Sequence, residues 1–133
     1  MIGLDSNVLV RLITRDDPVQ TAAAQGLVEG AGDDGMFVSL VVLAEIAWVL
    51  RRAYRYEAAM VLSAIERVLD GREFLVERQA LAKAALADAR VAGCGYADAL
   101  IALLAVEAGA SFTLTFDFKA KGLPTMRDAG SYK

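Results

Sequence analysis

Ile2-Gly3-Leu4-Asp5-Ser6-Asn7-Val8-Leu9-Val10 is the stretch from which the rest of the chain can be read. Ile2, Gly3 and Leu4 are enough for a short buried strand, and Asp5 follows at once. Ser6 and Asn7 can cap a helix that begins at Val8-Leu9-Val10. Asp5 is thereby set at the carboxyl end of a strand. In open α/β sheets ligands bind at that edge, so an acid there reaches a site without entering the core. Taken alone, Asp5 reads first as an N-cap, since acids are common at that position. Three more solitary acids recur downstream in similar settings, and the repetition shifts the reading toward a shared site.

The next elements follow from breakers. The first helix should stop near Asp16-Asp17-Pro18, because the residue before proline is pushed out of the α region. Pro18 suits the first turn of a second helix, Pro18 to Glu29, closed by Gly30-Ala31-Gly32. Asp33-Asp34-Gly35 reads as a turn, and Asp16, Asp17, Asp33 and Asp34 as solvated loop and cap acids. Met36 to Ser39 is a second strand and Leu43 to Arg52 a helix. Across Met36–Leu50 the only charge is Glu45. A carboxylate buried in such surroundings requires a cation, whether a distant arginine or a metal. Arg51, Arg52, Arg55 and Arg67 are candidates for that partner or for phosphate contacts.

Tyr56 to Leu69 forms a further helix, Phe74-Leu75-Val76 a third strand, and Arg78 to Val91 an alanine-rich helix ending at Gly93-Cys94-Gly95. The last long helix starts near Tyr96. Asp98 lies in its first turn as the sole charge between Val91 and Val106, with apolar residues at its i+3 and i+4 positions; the helix dipole favours an anion there. Ser111 to Phe116 is a fourth strand that ends at Asp117. There the opening pattern returns, with an acid past a strand end beside the hydroxyl of Thr115. A short turn or helix over 118–124, a small edge strand at Thr125-Met126 and a mobile tail from Asp128 complete the chain.

Strands alternating with helices predict an α/β fold with a mainly parallel central sheet of four to five short strands and helices on both faces. At 133 residues the chain makes one domain, 1–133. Hydrophobic residues make up 56% of it and the mean hydropathy is +0.42. That apolar excess predicts a covered surface, hence a homodimer or a bound partner chain. No run is long enough for a membrane span and no basic region precedes an apolar stretch, so a cytoplasmic protein is expected.

Composition also prunes the chemistry. The chain has no histidine and one cysteine, Cys94. Histidine-based nucleophile pairs, histidine general bases, ordinary zinc sites and intrachain disulfides are all excluded. Cys94 reads as a small buried hydrophobe. Any hydrolysis must run on carboxylates and hard metal ions. If strand ends one and four share an edge with the nearby helix starts, Asp5, Glu45, Asp98 and Asp117 come together. Like charges at close range call for a cation, and oxygen ligands select Mg²⁺ or Mn²⁺. The net charge of −3 does not exclude a nucleic-acid partner: without those four acids, 13 carboxylates face 14 Lys and Arg.

Leu4-Asp5-Ser6-Asn7-Val8, Glu45 within Leu43-Ala44-Glu45-Ile46, Tyr96-Ala97-Asp98-Ala99-Leu100-Ile101-Ala102 and Thr113-Leu114-Thr115-Phe116-Asp117 resemble, in order and spacing, the four acidic motifs of the PIN-domain nucleases. The resemblance covers almost the whole chain, and the small single-domain format is most similar to the VapC toxins of toxin–antitoxin pairs. It implies a three-layer PIN-like fold and a Mg²⁺-dependent endoribonuclease restrained by a separately encoded antitoxin. It also implies Asp5, Glu45, Asp98 and Asp117 as metal ligands and catalytic residues, with Asn7 and Thr115 orienting them. Cys94-Gly95-Tyr96 is a less usual lead-in to the third motif. Two other readings compete: an inactive PIN-like dimerisation or RNA-binding module, and a haloacid-dehalogenase-like phosphatase, which needs an acid where this chain has Asn7.

Overall fold

The computed structural model describes residues 1–117 and 119–132. Strand β1, Ile2–Gly3, leads into helix α1, Ser6–Thr14. The helix starts two residues earlier than expected because Asp5, not Ser6 or Asn7, caps it; its side chain accepts from the Ser6 amide. Arg15, in the left-handed region with φ 54°, ends the helix ahead of Pro18. Helix α2 runs Pro18–Glu29, with proline in its first turn and the Asp17 side chain capping the Gln20 amide at 3.0 Å. Asp16 is more than a solvated acid. It accepts from Arg11, Thr14 and the Tyr54 hydroxyl, and these bonds hold its carboxyl below the ordinary value, with the Tyr54 bond the largest cause.

Strand β2, Met36–Val38, hands over to helix α3, Leu40–Arg52. Sequence pattern alone places the start of this helix at Leu43, one turn later. The extra turn is capped twice, by the Ser39 hydroxyl on the Val42 amide and by the Glu77 carboxylate on the Leu40 amide at 2.9 Å. The second cap comes from 37 residues away and is invisible to local pattern. Helix α4 is Ala58–Asp70, β3 is Phe74–Val76, α5 is Gln79–Ala92 and α6 is Tyr96–Glu107. Gly93 closes α5 at φ 69°, a conformation other residues adopt only with strain. Strand β4, Thr113–Thr115, a 3₁₀ turn over Ala120–Gly122 and strand β5, Met126–Asp128, follow.

All strand pairing is parallel. β1-β2-β3 form one sheet in that order and β4-β5 another, so the strands expected in one sheet divide three and two among the described residues. With only two or three residues per strand, each ladder contributes few hydrogen bonds. The helices therefore carry the fold. α3 packs against α1, α4 and α6, and α5 joins α4 to α6. The core runs through Leu9, Met36, Val38, Leu43, Ile46, Leu50, Ile65 and Tyr96, each no more than about 1% exposed. At about 1.5–3 kcal/mol for each large apolar side chain buried, this cluster outweighs the sheet ladders. Tyr96 ties α6 to α5, its hydroxyl donating to the Ala82 carbonyl at 2.8 Å.

The end of the chain corrects an expectation. Asp128 accepts from the Gly130 amide and the Ser131 hydroxyl, Tyr132 packs on Phe112 with ring centroids 5.6 Å apart, and Arg127 lies over the same Phe112 ring. The segment through Tyr132 is tied down, not loose. Among the described residues no helix is long and apolar enough to cross a membrane.

Candidate active site

The carboxyl ends of β1 and β2 are neighbours, with Ile2 opposite Met36 and Gly3 opposite Phe37. Asp5 follows the first and Ser39 the second, so α1 and α3 rise from one edge. Asp5 is exposed. Its Oδ1 accepts from the Ser6 amide at 2.7 Å and from the Ser6 hydroxyl at 3.4 Å, and no hydrogen bond uses Oδ2 among the described residues. The cap reading is therefore the geometry seen, and it leaves one oxygen open toward solvent.

Asp117 repeats the arrangement after β4. Its Oδ1 accepts from the amides of Lys119 at 2.9 Å and Ala120 at 3.4 Å, while its own amide donates to Thr115 Oγ1 at 3.0 Å. Thr115 thus holds the Asp117 backbone. Asn7 is exposed and has no comparable contact among the described residues. Gly122 lets this loop lie against the end of α5: a Cβ there would meet the Ala92 carbonyl oxygen at 2.8 Å.

Asp98 is half-buried in the first turn of α6. Burial pushes its carboxyl above the ordinary aspartate value, the charge of Asp117 pushes it further, and the Gly95 amide works in the opposite direction. Gly95 stands close, since a Cβ on it would lie 3.3 Å from Asp98 Oδ2. Asp98 and Asp117 line one cleft of about 410 Å³, together with Trp48, Arg51, Arg52 and Lys119. Cys94 is at the wall of the same cleft, buried, its thiol held up by desolvation and then by the charge of Asp98.

Glu45 departs from its expected setting. It is exposed, not buried, and no arginine pairs with it among the described residues. The physical reason lies in helical spacing. Val41, Glu45, Trp48 and Arg52 fall at intervals of four, three and four on α3, so they form one stripe, and that stripe faces water. A continuous apolar run does not reveal which face its helix leaves uncovered. Arg52 was among the candidate phosphate contacts, but Trp48, which shares the cleft with Asp98, was missed; its i+3 position from the candidate acid Glu45 was the available clue.

The two halves of the candidate site are thus differently assembled. Asp98 and Asp117 interact in one cleft, whereas Asp5 and Glu45 do not line it. Among the described residues no three Asp, Glu, Cys or His side chains are gathered closely enough to form a metal cage. In donor chemistry the four still fit a hard divalent cation. All offer carboxylate oxygens, Asp5 and Asp117 each keep Oδ2 free of hydrogen bonds, and Asp98 carries the destabilised charge that a cation would relieve.

No curated protein sequence matches the chain. A PIN domain family model matches residues 2–124 and so takes in all four acids. That match displaces the haloacid-dehalogenase alternative and agrees with six helices arranged on short parallel strands. PIN domains are generally metal-dependent nucleases, and the chain, with its acids at strand ends and helix starts, belongs to the PIN domain family.

Proposed function

We propose that the protein is a Mg²⁺-dependent endoribonuclease, the toxin of a toxin–antitoxin pair, that hydrolyses RNA phosphodiester bonds at the edge carrying Asp5, Glu45, Asp98 and Asp117. The observation that carries the reading is the half-buried Asp98, within reach of the charge of Asp117, in a cleft that Arg52 and Lys119 also line. A carboxylate raised by burial and by a second acid is poised for a cation, and cations of the protein beside it attract a phosphodiester. Asp98 and Asp117 would hold the ion, with Asp5 Oδ2 and Glu45 completing the oxygen set. A bound Mg²⁺ supplies an activated water and charge for the phosphate oxygens. Mn²⁺ is chemically equivalent in such a set.

The protein's own part is orientation. Thr115 fixes the Asp117 backbone, the Gly95 amide and the buried Tyr96 fix the start of α6, and Arg52 and Lys119 draw the strand in. What supports the toxin assignment is a set of exposed apolar groups that suit partners: Phe116 is 83% exposed and Ile101 51%. We assign these to a homodimer and to a separately encoded antitoxin. Cytoplasmic RNA is the substrate in this reading.

Incubating the protein with a mixed RNA population tests it. Cleavage in Mg²⁺, its loss in EDTA and its loss in Asp98→Asn and Asp5→Asn are expected. RNA bound without cleavage at any divalent-metal concentration would instead identify an inactive RNA-docking module.

A further inference from the structure

Trp48 is the chain's only tryptophan and is 60% exposed, on a helix that otherwise buries Leu40, Leu43, Ile46 and Leu50. An indole is the side chain that gains most from leaving water, so one held open beside a charged cleft calls for a partner. The cleft answers what kind. Arg52 and Lys119 stand at its wall with no ion pair to either among the described residues, while Arg51 donates to the Tyr56 carbonyl. On α3 the rise of about 1.5 Å per residue sets Glu45, Trp48 and Arg52 about 4.5 and 6 Å apart along one exposed stripe. An acid, a flat aromatic face and a guanidinium therefore follow one another in a line, and the last two of them line the cleft with Asp98 and Asp117.

We infer that Trp48 is a base-stacking platform for a single-stranded segment of the substrate, with Arg52 and Lys119 taking the adjoining phosphates. The inference rests on the nuclease reading above and adds the residue that would seat the substrate strand. A base exposes its face to an indole only where it is unstacked, which a duplex does not permit, and stacking tolerates any base. The cations give affinity through the phosphates, and the ring sets the strand's position relative to Asp98 and Asp117.

Because Trp48 is the sole tryptophan, its fluorescence reports this position alone. The intact protein is titrated in EDTA, where no turnover occurs, with an oligoadenylate about ten nucleotides long. A saturable quench is expected. A duplex of equal charge and a fully abasic oligomer should bind through their phosphates without quenching. By polarisation, Trp48→Ala should bind the oligoadenylate about 10- to 100-fold more weakly, and Trp48→Phe within a few-fold of wild type. Arg52→Ala should reduce the salt dependence by about one phosphate contact. Oligoadenylate binding without a quench, or unchanged binding by Trp48→Ala, overturns the inference even if RNA is cleaved in Mg²⁺. Equal quenching by duplex overturns the single-strand assignment. A single-strand quench in a protein that cleaves nothing upholds the platform and refutes the nuclease reading instead.

Discussion

Tyr96→Phe removes one oxygen at the junction on which Asp98 depends. Tyr96 is 1% exposed and its hydroxyl donates to the Ala82 carbonyl at 2.8 Å, pinning the first turn of α6 to α5. Burial holds the phenol far above its ordinary pKa, so it is a neutral donor at every working pH. The substitution keeps the ring and its packing. Ala82 lies inside α5 and retains its helical partner, so the full penalty of an orphaned carbonyl does not apply, and the net loss is that of one hydrogen bond, about 0.5–1.5 kcal/mol. Unfolding entropy near 2.1 cal/mol/K per residue gives about 0.28 kcal/mol/K for a chain of this length. Division predicts a fall in Tm of about 2–5 °C. Differential scanning calorimetry measures it directly, in EDTA and at neutral pH. An unchanged or raised Tm would refute the argument that this bond anchors α6.

Two further outcomes follow from the same reasoning. The raised Asp98 carboxyl means that the metal-free native state binds more protons than the unfolded chain above the ordinary aspartate value of 3.8, so this group's contribution to stability is lost as pH rises through its folded pKa. In EDTA at pH 7, Asp98→Asn should accordingly melt higher than wild type, with the difference vanishing toward pH 4; a variant that melts lower at both would make Asp98 a structural anchor. Thr113 Oγ1 is a buried hydroxyl with no hydrogen-bond partner among the described residues, so the near-isosteric Thr113→Val in strand β4 should stabilise the fold by about 1 kcal/mol in urea denaturation, and a loss of stability would reveal an unseen partner for that oxygen.

Much of this architecture is written locally. Pro18 with Asp17 sets α2, β3 is bounded by Gly71 and the charged residues after Val76, and Tyr96 opens α6, all where pattern and breakers place them. The misplaced boundaries share a cause. The start of α3 depends on Glu77, and the order of the last residues depends on Phe112 meeting Arg127 and Tyr132; these are contacts between distant segments that periodicity does not encode. The candidate site divides the same way. Asp98 is half-buried, as its place as the lone charge at the start of an apolar helix suggested, because Tyr96, Ala99 and Ala102 around it pack inward. Glu45 misled because an unbroken apolar helix hides its exposed face until the partners of Leu43 and Ile46 are known. Trp48 went unread for the same reason, since an indole in an apolar run looks like core.

In the proposed function Asp5, Glu45, Asp98 and Asp117 serve one divalent cation, although only Asp98 and Asp117 line a common cleft. Titration calorimetry with Mg²⁺, on wild type and on Asp5→Asn, Glu45→Gln, Asp98→Asn and Asp117→Asn in turn, tests it most directly. Saturable binding to wild type and weakened binding in all four variants are expected, because each residue supplies an oxygen to the same ion. Wild-type affinity in Asp5→Asn and Glu45→Gln, with loss confined to Asp98→Asn and Asp117→Asn, would contradict it and leave a two-carboxylate site.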